Sequence, residues 1–415
     1  MREGYQKTLL GEIPNAWCIK ALEEISNIVT GNTPKTSVKE YFDGNYPWIT
    51  PSDINSEKDI YKSPRTLTEM GLSKARELPP KTLLVTCIAS IGKNAILRVK
   101  GSCNQQINAI LPSLKHDVGF LYYMMNHSTR RLYNLSGTTA VAIINKSNFS
   151  KFTIPFPPLP EQQKIAEILS TVDAKIEIID QQIAETQEFK KGLMQQLLTK
   201  GIGHTEFKDS VLGKIPKSWE VMELDEISST TRLAGYEYSE YWQEAENGEI
   251  TALRGYNIGK NKLKLHDVIK ISEELSQKLI RSRLFKGNVV FPCVGTIGNA
   301  IVIEDDDKYH INQNIAKITP NKDLDSYFLM QYLLSSMCRK EIKRFNATTS
   351  QPNVLVGSLR KFRIPFPNNL SEQIQISEIL GIVDQKLEVL SEKKITYQEM
   401  KQGLMQQLLT GKVRV

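Results

Sequence analysis

Cysteine is scarce in this 415-residue chain and never clustered. Cys18, Cys87, Cys103, Cys293 and Cys338 form no CxxC or CxxH pair, which excludes the usual zinc spacings and leaves reduced, partly buried thiols as the expectation. No stretch of about 18 uncharged apolar residues occurs, so no membrane-spanning helix is expected. The opening MREGYQKTLLGEIP lacks the apolar core of a secretory signal, and a cytoplasmic protein is expected. Catalytic motifs are also missing. Ile91, Gly92 and Lys93 have neither the leading glycine nor the following hydroxyl of a phosphate loop. There is no HExxH, no GxGxxG after a strand, no [ND]PP[YFW] and no convincing PD…ExK pattern, and the five histidines are dispersed. The acidic run Glu304 to Asp307 reads as a solvated turn rather than a metal site. No enzyme is expected.

What is present is a repeat. GEIPNAWCIKALEEI at 11–25 returns as GKIPKSWEVMELDEI at 213–227, and KFTIPFP at 151–157 returns as KFRIPFP at 361–367. EQQKIAEILSTVD at 161–173 returns as EQIQISEILGIVD at 372–384, and the ending GLMQQLLT occurs twice. Weaker echoes fill the interior, such as LPPKTLLVTCIASIG at 78–92 against LFKGNVVFPCVGTIG at 284–298. The segments 151–200 and 361–411 are close copies, whereas 26–150 and 228–360 share only a skeleton. Two similar connectors with two divergent heads read as one frame presenting two specificities. The net charge of +7 follows the same division. Residues 1–160 carry 19 basic and 12 acidic side chains, while 161–200 carry 5 and 7. An excess in the heads is compatible with a polyanionic partner, though many soluble proteins share it.

The connectors read as long helices. No proline interrupts 161–199; Pro160 suits a first turn, Glu161 suits the positive end of the helix, and Gly201 and Gly203 stop it. The second helix is expected to be capped by Ser371, with Glu372 behind it, and to end near Gly411. Each would run about 38 residues, roughly 57 Å at 1.5 Å per residue. Leu169, Ile176, Ile183 and Leu197 form one heptad seam of the first helix, and Val172, Ile179 and Leu193 the other. In the second helix the seams are Leu380, Leu387 and Leu408, with Val383, Leu390, Tyr397 and Leu404. Lys190 interrupts the first helix's pattern, Lys394 and Lys401 the second's, and such polar breaks fix register. A pseudo-two-fold repeat predicts that the helices pack as an antiparallel coiled coil with a head at each end.

Both heads read as α+β. Strands are predicted at 83–88, 94–99 and 107–112 with a helix at 118–135, and again at 289–294, 299–304 and 314–319 with a helix at 326–345. The domain reading is 1–157, 158–200, 201–367 and 368–415, alternating head and connector.

IPFPPLPEQ at 154–162 with KIAEIL at 164–169 and the GLMQQLLT ending resembles the connector signature of specificity subunits from Type I restriction–modification systems. IPFP at 364–367 with SEQ at 371–373 is the same signature in its second place, although Asn368, Asn369 and Leu370 replace Pro158, Leu159 and Pro160, with one extra residue. GEIPNAW and GKIPKSW resemble the family's approach to each target-recognition domain, and TGNTPKT at 30–36 its first loop. The resemblance implies that each head reads half of a split, asymmetric site in double-stranded DNA and that the helices measure the unread spacer. It implies two methyltransferase subunits using S-adenosylmethionine and two restriction subunits using ATP and Mg, with no cofactor or metal on this chain.

Base reading needs polar side chains on loops that reach a groove. In the first head the candidates are Asn32, Thr33, Lys35, Ser90, Lys93, Asn104, Gln105, Gln106, Thr138, Thr139 and Lys146. In the second they are Arg232, Arg254, Tyr256, Asn257, Thr296, Gln313, Asn314, Thr348, Ser350, Gln351 and Asn353. Asn104 and its match Asn312 are equally readable as structural. Beside the DNA reader stand three alternatives: a cryptic nuclease or methyltransferase, a coiled-coil adaptor that binds no DNA, and a specificity subunit of another restriction class.

Overall fold

The computed structural model describes residues 2–55, 57–136, 142–345 and 353–415. The chain divides into two compact units, Met1–Asp180 with Glu392–Val415, and Gln181–Ser391. Each takes one head and part of both long helices. No helix among the described residues is long and apolar enough to cross a membrane.

In the first unit the apolar runs become a five-stranded sheet. Its strands β1 (Ile28–Thr30), β2 (Asp59–Ile60), β3 (Thr82–Thr86), β4 (Asn94–Leu97) and β5 (Ile107–Ile110) lie in the order β1-β5-β3-β4-β2. Only the β2–β4 pairing is parallel. Both faces of β3, β4 and β5 are covered, which is why these strands are continuous apolar runs rather than alternations. Leu83, Val85 and Ile96 face α1 (Val118–His127), and Leu84, Ala95 and Leu97 face a second cluster with Ile49 and Leu78. Asp117 caps α1 by accepting the Phe120 amide.

The second unit repeats this frame. Strands β6 (Ser228–Thr231), β7 (Val289–Pro292), β8 (Ile301–Val302) and β9 (Ile315–Pro320) lie in the order β6-β9-β7-β8, matching β1-β5-β3-β4. A single parallel bridge, Lys260 to Ala300, stands where β2 pairs in the first unit. Asp325 caps α2 (Ser326–Leu334) as Asp117 caps α1. The copied motifs are partners in space, since Cys18–Ala21 pairs with Thr153–Phe156 and Trp219–Glu223 with Arg363–Pro367.

Three expectations are corrected. The helix expected at 118–135 breaks at Ser128, whose backbone (φ −92°, ψ 3°) leaves the helical region, and resumes at Thr129–Tyr133. The one expected at 326–345 breaks at Ser335, whose hydroxyl accepts the Met337 and Cys338 amides and so starts a new helix, Ser336–Phe345. Ser371 is not the cap of the second long helix. Asn369 is, accepting the Ser371 amide at 3.0 Å, because the extra residue in this copy brings an asparagine to the turn.

The long helices are α3 (Leu159–Lys200) and α4 (Leu370–Leu408), of 42 and 39 residues, the first longer than expected and the second close to it. In the first unit Asp173 and Asp180 of α3 pair with Lys401 and Lys394 of α4. In the second, Lys190 of α3 pairs with Asp384 of α4. Numbers rise on one helix as they fall on the other, so the pair is the expected antiparallel coiled coil. Leu169, Val172, Ile179, Leu197, Leu380, Val383, Leu390 and Leu408 are buried. Ile176, Ile183, Leu193, Leu387, Tyr397 and Leu404 are half-buried. Thr186 occupies the seam place between Ile179 and Leu193 and is buried too. The ends of the seams serve the heads: Leu169 and Leu408 join the core of the first, Leu197 and Leu380 that of the second.

Candidate nucleic-acid interface

The first head gathers its polar loops along one edge of the sheet. The turn after β3 carries Ala89 at φ +60°, and Ala89 donates its amide to the Ala142 carbonyl. An isolated bridge from Ile88 to Ile143 joins the same two segments. The Cys87 amide reaches the Gln106 carbonyl, which brings the loop before β5 to that turn. There the Thr33 hydroxyl donates to Gln105 Oε1 at 2.6 Å. Thr33, Gln105, Gln106 and Ser90 are thus gathered on linked loops, with Lys35 and Lys93 exposed. Lys146 lies apart, lining a cleft with Ser26, Asn27 and Lys115.

Two of the candidates there have full-time structural work. Asn32 accepts the Arg76 amide and donates to the Lys74 carbonyl, so its amide ties the first loop to 74–76. Asn104 is buried and bonds both the backbone and the side chain of Gln106. Thr138 and Thr139 lie outside the described residues.

The second head builds the matching edge from different residues. Gly295, at φ +77°, stands at the place of Ala89. The Cys293 amide reaches the Asn314 carbonyl, the Val354 amide reaches the Cys293 carbonyl, and Val294 bridges Asn353. Thr296 donates its hydroxyl to the Gly255 carbonyl at 2.6 Å, which holds the Arg254 to Asn257 turn against this edge. Arg254, Tyr256, Thr296, Asn314 and Asn353 therefore meet, with Gln313 half-buried beside them. The Arg254 guanidinium lies 5.4 Å over the Tyr256 ring, and its buried Nε has no hydrogen-bond partner among the described residues. Asn257 is fully buried, accepting the Arg254 amide and donating to the Lys264 carbonyl, so it shapes the turn. Arg232 is exposed at the end of β6. Thr348, Ser350 and Gln351 lie outside the described residues.

Each head is seated on the helix pair by two polar anchors that sequence reading missed. In the first unit Asp173 accepts the Tyr123 hydroxyl and the Lys401 ammonium, each at 2.6 Å. Lys58 lies 3.3 Å from the Tyr123 oxygen, and burial lowers its pKa. In the second unit Asp384 accepts from Lys190 and, at 2.9 Å, from Gln331, which stands at the place of Tyr123. The other anchor is a glutamate at the start of each helix. Glu161 accepts the Trp17 indole N–H at 3.0 Å and the Arg414 guanidinium at 2.9 Å. Glu372 accepts the Trp219 indole N–H at 3.1 Å and lies 2.8 Å from His204 Nε2. The repeat held the signal: Trp17 with Trp219, Glu161 with Glu372, Asp173 with Asp384 and Lys190 with Lys401 are identical at matched places.

Among the described residues no three metal-ligating side chains gather. Burial pushes the Cys87 thiol up to about 11 and Cys293, at the matched place, up to about 12, so neither is a thiolate nucleophile near neutral pH. The acidic run is a turn held by its neighbours: Asp305 pairs with Lys308, Asp306 accepts the Lys286 amide and Asp307 pairs with Arg283.

The family model for the Type I restriction modification DNA specificity domain matches residues 14–188 and 216–397. The type I restriction enzyme MjaVIII specificity subunit of Methanocaldococcus jannaschii is 28% identical over 421 residues, covering 97% of this chain and 94% of that one. The type I restriction enzyme EcoBI specificity subunit of Escherichia coli is 21% identical over 378 residues, covering 88% and 78%. Among solved structures, the S subunit of a Type I restriction–modification system from M. genitalium aligns with a TM-score of 0.59 at 16% identity, covering 95% and 96%. A chain from a study of complex assembly and conformational transition of the type I system gives 0.60 at 16% identity, covering 97% and 99%. Structures this distant in sequence show the shared fold. The two family matches, by contrast, each take in one copy of the repeat, and the chain belongs to the Type I restriction–modification specificity subunits.

Proposed function

We propose that this specificity subunit reads a split, asymmetric site in double-stranded DNA, one half-site per head, and leaves the chemistry to its partners. The observation that carries this reading is the contrast within each head. A copied frame of sheet, capped helix and anchors presents an edge on which Gln105 and Gln313 match but most other side chains differ, with Thr33, Ser90 and Gln106 in one and Arg254, Tyr256 and Thr296 in the other. Those side chains are of the types that contact base edges and phosphates. Heads with different edges read different half-sites, so the site is not a palindrome.

The helices serve as spacer. Half-sites one DNA turn apart are separated by roughly 34–36 Å. A helix of 42 residues extends about 63 Å at 1.5 Å per residue, long enough for that separation. Two methyltransferase subunits, using S-adenosylmethionine, dock on the connectors and adjoining head surfaces, and two restriction subunits supply ATP-driven translocation and cleavage. The copied connectors support two docking places of one kind. This chain binds none of those cofactors in the proposed complex.

The test is to map methylated adenines in a host carrying the intact system. Two unlike half-sites separated by a fixed unread spacer are expected. A continuous site or a palindrome would refute the reading.

A further inference from the structure

Beside its edge of reading loops the second head has a cleft of about 430 Å³ whose walls carry three arginines from three separate elements. Arg232 follows β6, Arg281 sits in the short turn Ile280–Ser282, and Arg360 follows the helix Val356–Leu359. Thr231, Ala234, Gly235, Leu355, Val356 and Gly357 complete the lining, so the three guanidinium groups are its only charged side chains among the described residues.

The three cations are engaged to different degrees. Arg360 is held in place, donating to the Thr230 carbonyl at 2.7 Å with Asp225 at 3.5 Å. Arg281 lies 3.5 Å from Glu237 and is 58% exposed. Arg232 is exposed and makes no hydrogen bond or ion pair among the described residues. Two forks are therefore available to an anion, with the third as a fixed wall. At the matched places of the first copy stand Thr30, Ala75 and Ser150, none of them cationic.

We infer that this cleft grips one backbone phosphodiester of the DNA beside the half-site read by the second head. The inference rests on the DNA-reading function proposed above and adds to it a site without sequence preference. Guanidinium forks match phosphate oxygens two at a time, and such contacts position a protein on the duplex without reading its bases. The first head has no arginine at the matched places; its own cleft at Ser150 carries Lys115 and Lys146 together with Glu23 and Glu24.

The test uses the full chain and a duplex carrying its mapped site, with affinity measured from low to high salt for the wild type and for the double variant Arg232→Gln, Arg281→Gln. Arg360 is left intact because it supports Thr230, and thermal melting checks that the variant folds. The expected result is several-fold weaker binding, and a plot of log affinity against log salt that is shallower by about 0.9, the value of one phosphate contact. The preference for the mapped site over a base-changed duplex should not move. An unchanged salt slope, or a loss confined to the mapped site, overturns the inference while leaving the function standing. If the wild type binds no duplex, the function itself falls and the inference with it. Inorganic phosphate at fixed ionic strength is the second arm. The inference expects it to leave the bound duplex in place, whereas displacement that depends on Arg232 and Arg281 would assign the cleft to a free anion.

Discussion

The first head and the second sit on their helices through the same two anchors, made with different donors. Glu161 holds a tryptophan and an arginine; Glu372 holds a tryptophan and lies against a histidine. Asp173 takes a tyrosine and a lysine; Asp384 takes a glutamine and a lysine. The acceptors, the tryptophans and the lysines were copied, while the other donors drifted, Arg414 and Tyr123 in one unit against His204 and Gln331 in the other. Anchors must keep one geometry for the frame to work, whereas the edges above them diverged at most places, with Asn104 and Gln105 matched by Asn312 and Gln313.

The tryptophan pair gives the largest effect. Trp17→Ala and Trp219→Ala should each cost about 3–5 kcal/mol, because each removes a fully buried ring. Trp219→Ala should cost more, since Glu161 keeps the Arg414 guanidinium in two hydrogen bonds, whereas Glu372 keeps His204 and the neutral Ile202 amide. Calorimetry of the full chain reads the difference, and equal losses would break the comparison of anchors.

Next come the aspartates. Asp173→Ala and Asp384→Ala each leave a half-buried lysine without its carboxylate, a change on the order of 1–3 kcal/mol. Asp173→Ala should be the worse of the two, because Lys401 and Lys58 both lie within 6 Å of the Tyr123 ring and both lose the Asp173 charge, with Asp59 and Asp117 left to act on Lys58. Urea unfolding of the two variants side by side decides it, and a larger loss for Asp384→Ala would contradict the account.

How far the sequence could be read follows from the same contrast. The long helices and their seams were legible because heptad spacing over several turns has few other meanings. Thr186 was not, since a hydroxyl breaks the apolar pattern even where it is buried. Ser371 and Asn369 are both good caps, and only the observed helix start decides between them. The candidate edge was legible as loop chemistry but not residue by residue. Asparagine shapes turns with the same amide that reads a base, and Asn32 and Asn257 turn out to be spent on backbone. The anchors were written in the repeat itself, as polar residues identical at matched places within connectors that otherwise looked like plain coiled coil.

A smaller effect sharpens the comparison of the two edges. The turn at Ala89 and Gly295 has a left-handed residue in both heads, but only the second uses glycine there. Ala89→Gly should stabilise the first unit by about 1 kcal/mol, and Gly295→Ala should destabilise the second by about as much. Melting curves that moved together would mean that the two turns are not equivalent.

The smallest is an acid sensitivity, set in the second unit by His310 and in the first by His116 and His127, whose pKa values burial also lowers. Burial lowers the pKa of His310 below its ordinary 6.5, so the unfolded chain takes up the proton first as pH falls. Stability contributed by the neutral ring is present above that range and lost as pH drops through it. A fall in the melting temperature of the second unit between pH 7.5 and 5.5, reduced in His310→Gln, is expected; an identical fall in the variant would rule His310 out.

The central claim, that each head reads its own half-site, is tested most directly by mapping methylated adenines in a host carrying the intact system with Arg254→Ala in this chain. The account predicts that one half-site loses stringency while the other half-site and the spacer stay as they were. Equal loss of stringency in both half-sites would contradict it.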